Sequence, residues 1–118
     1  YLYLNIIKVI INKVKFILIR NIEDSTYKIG VTKHNPSKRL KQLQTGSSSQ
    51  LDLVYSIEAD YPYRLEKMLH THFSLQRKNN EWFSLDLDSI MNFPETCNKL
   101  LNIIKSLEVN PYFMQNIH

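Results

Sequence analysis

The sequence predicts an α+β domain: a small three-stranded antiparallel sheet flanked by helices and followed by a C-terminal helical extension. Three observations support this fold class. Short runs of β-branched and aromatic residues recur three times. Longer segments with apolar residues at helical spacing follow the second and the third of these runs. The length of 118 residues suits one domain with one modest core.

The first two predicted strands are residues 14–20 (VKFILIR) and 27–32 (YKIGVT). Turn-forming residues between them predict an antiparallel hairpin. Because side chains alternate along a strand, the second strand has one face with Tyr27, Ile29 and Val31 and another with Lys28, Gly30 and Thr32. Gly30 leaves room for a partner to approach the backbone closely.

Residues 35–46 (NPSKRLKQLQTG) carry helix signals at both ends. Asn35 is a good N-cap residue, and Pro36 suits the first helical position. Gly46 stands just past the expected end of the helix. The predicted buried side of this helix carries two leucines, Leu40 and Leu43.

A third strand is predicted at residues 51–57 and a second long helix at residues 60–73. The predicted buried side of this helix consists of residues at helical spacing: Leu65, Met68, Leu69, His72 and Phe73. We interpret His72 in this set as a core residue. Along an adjacent face lie Tyr63, Glu66 and His70.

Residues 76–85 predict a turn and a short extended piece, with Trp82 and Phe83 as core anchors; base stacking is the alternative for Trp82. Residues 86–108 have a helical pattern, which Pro94 either interrupts or restarts. The predicted parts of the chain are an N-terminal extension (1–13), a domain (14–86) and a C-terminal helical extension (87–118).

Composition limits the classes of function. The single cysteine, Cys97, excludes an intrachain disulfide, favours a reducing, intracellular setting and is interpreted as a packing residue. Residues 1–13 are apolar but interrupted by lysine and asparagine, so we expect an extra strand or helix on the core and no membrane span. The net charge of +4 is a weak sign of an acidic partner.

The positive charge is concentrated in one segment. Between Asp24 and Asp52 there is no acidic residue, and five cations fall there: Lys28, Lys33, Lys38, Arg39 and Lys41. Arginine binds phosphate with a bidentate fork and lysine as a point charge. This pattern favours contact with nucleic-acid phosphates, to which Gly30, Thr32 and Gln42 could contribute, over a merely solvated helix face.

Other residues suggest chemistry. Glu66 is either a surface residue or a Mg²⁺ ligand, because hard cations prefer oxygen. His70, one turn later, is a second ligand, a general base or simply a neighbour. His34 lies beside the basic segment, where it either contacts phosphate or accepts a proton, or is exposed without a role. Glu81 stands next to an aromatic pair that would fix its direction.

The order FILIRN, YKIGVT, NPSKRLKQLQTG, LEKMLHTHF and NEWFSL, over about residues 14–86, resembles the GIY-YIG endonuclease superfamily. The phage "T-five ORF" type DNA-binding domain branch is the most similar. The resemblance implies a three-stranded antiparallel sheet flanked by helices. It also implies hydrolysis of DNA phosphodiester bonds with Mg²⁺ or Mn²⁺ in those members that are catalytically active.

Carried onto this sequence, the resemblance makes Arg39 the arginine that stabilises charge at phosphorus and Glu66 the metal ligand. Glu81 falls near a later polar position. The two family tyrosines are replaced by Ile17 and Lys28, neither of which is a phenol. The resemblance thus implies an electrostatic half of the site without its usual proton-handling half, for which the candidates in this chain are His34 and His70.

Three functions follow from the sequence. The first is a DNA-binding domain that grips the phosphate backbone, with weak or lost nuclease activity. The second is an active divalent-metal-dependent DNA endonuclease, and the third is a protein-interaction scaffold that keeps only the fold. RNA stays open as a partner, and no helix shows a base-reading face.

Overall fold

The computed structural model describes residues 14–108, so the predicted N-terminal extension lies outside the described residues. In chain order the elements are β1 (Lys15–Asn21), β2 (Thr26–Thr32), α1 (Pro36–Thr45), β3 (Leu51–Glu58), α2 (Pro62–His72), a 3₁₀ turn (Ser74–Gln76), β4 (Arg77–Asn79), β5 (Trp82–Phe83), α3 (Leu87–Met91) and α4 (Phe93–Glu108). The α+β class is confirmed.

The sheet of the described chain has five antiparallel strands in the order β3-β1-β2-β5-β4, so the predicted count of three strands is wrong. The predicted central three strands are present, with β1 between β2 and β3. The two additional strands are short. All three residues of Arg77–Asn79 are polar and exposed, so the sequence there lacks the alternation of apolar and polar residues that predicts a strand. Asn80, in the turn before β5, has φ of 43°, a left-handed conformation that asparagine tolerates.

Helices cover both faces of the sheet. On one face α2 and α4 enclose the main core, whose fully buried members include Phe16, Leu18, Ile29, Leu65, Leu69, Phe83, Phe93, Cys97 and Ile104. On the other face α1 places Leu40 and Leu43 against a smaller core of Ile17, Ile19 and Leu51. Residues paired directly across an antiparallel ladder share a face. Ile17 pairs with Gly30 and Ile19 with Lys28, so β2 presents Lys28 and Gly30 on the α1 side.

The C-terminal helix is part of the main core. The Phe93 ring stacks on Phe16 at 5.8 Å and on Phe73 at 6.1 Å between centroids. Pro94 starts α4 rather than interrupting it, because a proline is tolerated in the first turn of a helix. The division of the chain at residue 86 stays a prediction.

One predicted core residue is exposed. His72 stacks edge-on against Phe73, with ring centroids 4.7 Å apart, but lies on the surface. His72 is the last residue of α2 and lies at the surface between α2 and α4, together with Met68 and Leu100. No helix in residues 14–108 is long and apolar enough to span a membrane.

Candidate nucleic-acid interface

Helix α1 begins and ends where its sequence signals predict. The Asn35 side chain accepts a hydrogen bond from the Ser37 backbone N–H at 2.9 Å, and Pro36 occupies the first turn. Gly46 follows the last helical residue with φ of −89°, so its position at the end of the helix does not depend on a left-handed conformation. The two caps fix the length of α1, and its leucines fix which side faces the sheet.

The surface of α1 that the sheet leaves uncovered carries cations. Lys38 and Lys41 are exposed, Arg39 is half-buried, and Lys33 is exposed just before the helix. We call these four residues the basic face. None of them has an ion-pair partner within residues 14–108. Arg39 Nη1 donates to Gln42 Oε1 at 3.4 Å, a contact that the spacing of three residues on a helix allows.

Lys28 is held differently from the basic face. Its side chain is only 13% exposed, and its ammonium forms an ion pair with Glu81. The same ammonium lies 5.9 Å from the centre of the Trp82 ring. Because β5 pairs with β2 at Lys28, the ring comes from the neighbouring strand and the carboxylate from the turn directly before it. Part of the Lys28 charge is therefore neutralised within the protein.

Glu66 reaches the same strand from α2. A Cβ atom added to Gly30 would lie 3.9 Å from Glu66 Oε2 and 3.9 Å from Lys28 Cε. Gly30 is thus the floor of a gap between a carboxylate and a lysine. Burial raises the pKa of Glu66, and the nearby Glu81 carboxylate adds to the rise, whereas His70, Lys28 and the Val31 N–H oppose it. The environment of Glu66 therefore favours the binding of a proton or a cation.

His70 and Glu66 form hydrogen bonds with the backbone of β2 beyond the end of the short β5. His70 Nε2 lies 2.8 Å from the Ile29 carbonyl oxygen, and the Val31 N–H donates to the Glu66 carboxylate. A carbonyl oxygen only accepts, so Nε2 carries the hydrogen and Nδ1 of the neutral ring is the acceptor. The His70 ring also packs against Phe83, with centroids 5.1 Å apart. Its orientation is therefore fixed.

The remaining predicted residues lie on β1, on β2 and just before the start of α1. Thr32 is 5% exposed, and its hydroxyl accepts a hydrogen bond from the His34 backbone N–H at 3.0 Å. The His34 side chain is exposed at the junction of β2 and α1. Ile17 is 1% exposed and packs in the smaller core opposite Gly30. Tyr27 packs against the main core on the other face, as strand alternation predicts.

The comparisons with known proteins identify the family. A family profile described as the T5orf172 domain matches residues 15–104, which is most of the chain. This chain belongs to the T5orf172 domain family. The family is GIY-YIG-like and phage-related, which confirms the resemblance seen in the sequence. No curated protein and no solved structure matches the chain.

Membership of the T5orf172 family raises the question of whether Glu66 fits a divalent cation. Within residues 14–108 no three His, Cys, Asp or Glu side chains are grouped to hold a metal. Mg²⁺ is, however, commonly bound by one or two carboxylates together with waters and substrate phosphates. Glu66 is partly desolvated and repelled by Glu81, which favours a cation beside it. Glu66 is therefore the residue that would hold a Mg²⁺ or Mn²⁺ ion, and waters and substrate phosphates would supply the other ligands.

Two features of this T5orf172 domain could not be found from sequence reasoning. The ion pair between Lys28 and Glu81 joins residues 53 positions apart and depends on the pairing of β2 with β5. The hydrogen bond of His70 depends on β5 being only two residues long, which leaves the Ile29 carbonyl open. The sequence shows only that His70 and Glu81 lie near predicted strands, and such residues occur near strands in many folds.

Proposed function

We propose that this domain binds DNA through the sugar-phosphate backbone, with the basic face as its main contact surface. The observation that carries the proposal is that all four cations of this face lack an ion-pair partner within residues 14–108. Protein cations without carboxylate partners are free to replace the counterions of a phosphate backbone. Such contacts position a protein on nucleic acid but do not distinguish one base sequence from another.

The strand face next to α1 supports the same proposal. Gly30 has no side chain between Lys28 and Glu66, and the space left there is large enough for one phosphate oxygen to approach the strand. Arg39, paired with Gln42, presents a guanidinium fork suited to phosphate. Thr32 is buried at the end of β2, so we leave it out of the proposed contact surface.

Fluorescence anisotropy with a labelled DNA duplex tests this proposal. Lys38→Gln and Arg39→Gln each remove one positive charge from the basic face and should weaken binding several-fold at low salt. Lys99→Gln, on the exposed surface of α4, is the matched control and should bind as the wild type does. Equal affinity for all four proteins would overturn the proposal. An RNA duplex of the same sequence tells whether the contacts distinguish the two nucleic acids.

Metal-dependent cleavage of DNA is a second candidate function, which the fixed orientation of His70 favours. Its Nδ1 atom is available to accept the proton of a water that attacks phosphorus, while Arg39 stabilises the added negative charge. The new bond joins the water oxygen to phosphorus, and the bond to the leaving sugar oxygen breaks, with solvent supplying that oxygen's proton. A divalent cation at Glu66 would neutralise charge on the phosphate.

A nicking assay on supercoiled plasmid tests the second candidate. Nicking in Mg²⁺ or Mn²⁺ that is lost with a chelator, in Glu66→Gln and in His70→Gln would support an endonuclease with His70 as base. The same loss in His34→Gln, with His70→Gln active, would assign the base to His34 instead. A plasmid that is shifted in a gel but never nicked would support DNA binding without cleavage.

A further inference from the structure

An open groove of about 700 Å³ runs along α2 to the start of β4. Tyr63, Glu66 and His70 line it at helical spacing, two turns and about 10 Å from first to last. Lys67 and Arg77 line it beside them. The groove is distinct from the basic face, because its side chains come from α2 and β4 rather than from α1.

The charges of the groove favour an anionic ligand. Lys67 and Arg77 are exposed, and neither has an ion-pair partner in the described range 14–108. The Arg77 guanidinium lies 5.3 Å from the centre of the Phe83 ring, a contact that holds an otherwise exposed side chain in place. Glu66 is the one carboxylate among the residues that line the groove. A cation bound there would leave the groove entirely positive.

Tyr63 adds a different kind of contact. Its side chain is 55% exposed, although an aromatic ring gains free energy by leaving water. It stands one turn before Lys67 on the same side of α2. An exposed ring beside cations is the arrangement with which proteins bind single-stranded nucleic acid, because a base stacks on the ring and the cations follow the backbone.

Glu66 connects the groove to the strand face. It lines the groove, and its Oε2 atom also lies 3.9 Å from the Cβ position of Gly30. We propose that the groove binds an unpaired strand that continues from the DNA held on the basic face, with a base stacked on Tyr63 and phosphates beside Lys67 and Arg77. This proposal rests on the proposed DNA-binding function. Bases within a duplex are already stacked on each other, so Tyr63 selects a strand without a partner.

Anisotropy titrations with a blunt duplex and with the same duplex carrying a short thymidine tail test the proposal. We expect wild-type protein to bind the tailed duplex about tenfold more tightly, the scale of one base stacked on an aromatic ring. Tyr63→Leu should abolish this gain and leave the affinity for the blunt duplex unchanged, whereas Tyr63→Phe should keep it. Lys67→Gln and Arg77→Gln should each reduce the gain, and the control Lys99→Gln should not.

Three outcomes are decisive against the groove. Equal affinity of the wild type for both duplexes would overturn it and leave the proposed function standing. The groove would also be ruled out, with the proposed function intact, by two results for a Tyr63→Leu protein that circular dichroism shows to be folded. One is that it keeps the full gain from the tail, and the other is that it loses affinity equally for both probes. Failure to bind either duplex would instead overturn the proposed function, and this inference with it.

Discussion

Replacing Gly30 by alanine distinguishes the stability of the fold from its affinity for DNA. The added methyl group would lie 3.9 Å from both Glu66 Oε2 and Lys28 Cε, an ordinary van der Waals distance, and Gly30 does not have a positive φ. We therefore expect no strain. Alanine in a strand is favoured over glycine, so the free energy of unfolding should be unchanged or rise by up to about 1 kcal/mol.

The same methyl group fills the gap that we assign to a phosphate. Loss of one charge-assisted hydrogen bond costs about 1.5–3 kcal/mol. That corresponds to roughly a ten- to hundredfold weaker affinity for duplex DNA. Stability is measured by urea denaturation and affinity by anisotropy on the same preparations.

Gly46→Ala is the matched control, because its added Cβ would lie at the same distance, 3.9 Å, from the nearest atom, the Leu43 carbonyl oxygen, at the far end of α1. It should bind DNA with wild-type affinity. If Gly30→Ala is as stable as the wild type and binds DNA equally well, no ligand group enters the gap and the argument from Gly30 is wrong. Unfolding of Gly30→Ala would refute the steric reasoning instead.

Three further predictions concern single groups. Glu81→Gln removes the carboxylate that neutralises Lys28, so DNA affinity at low salt should rise several-fold by anisotropy; an unchanged or weaker affinity would show that the Lys28 charge does not reach the ligand. Burial raises the pKa of Glu66 above 4.5, so its contribution to stability is greatest below that pH and is lost as the pH rises through the raised value. Urea denaturation should therefore show Glu66→Gln gaining stability relative to the wild type between about pH 4 and pH 7, and a difference independent of pH would contradict this. Burial raises the pKa of the Cys97 thiol to about 12, so a thiol reagent at pH 8 should label the native protein far more slowly than the urea-unfolded protein; equal rates would contradict its burial.

The parts of the fold that local chemistry determines could be predicted from the sequence. Alternation along residues 27–32 correctly separated Tyr27 from Lys28, because side-chain direction in a strand has a period of two. The caps of α1 were predicted because Asn35 and Pro36 act on their own helix. The pairing of Arg39 with Gln42 follows from helical spacing in the same way.

The parts that depend on distant partners could not be predicted. The hairpin of β4 and β5 has three exposed polar residues in one strand and two residues in the other, so it leaves almost no periodicity. Without that hairpin, nothing places Glu81 beside Lys28 or opens the Ile29 carbonyl to His70. His72 fits a helical pattern of apolar residues, yet it is exposed at the end of α2, where burial depends on how α2 packs against α4.

The salt dependence of DNA affinity tests the central claim, that the basic face binds phosphates, most directly. Each cation that contacts a phosphate contributes about −0.9 to the slope of log K against log salt concentration. If Lys33, Lys38, Arg39 and Lys41 all bind, the slope should be about −3.6, and each glutamine substitution should make it less steep by about 0.9. Lys99→Gln should leave the slope unchanged. A wild-type slope near zero, or one that Lys38→Gln and Arg39→Gln do not alter, would contradict the account.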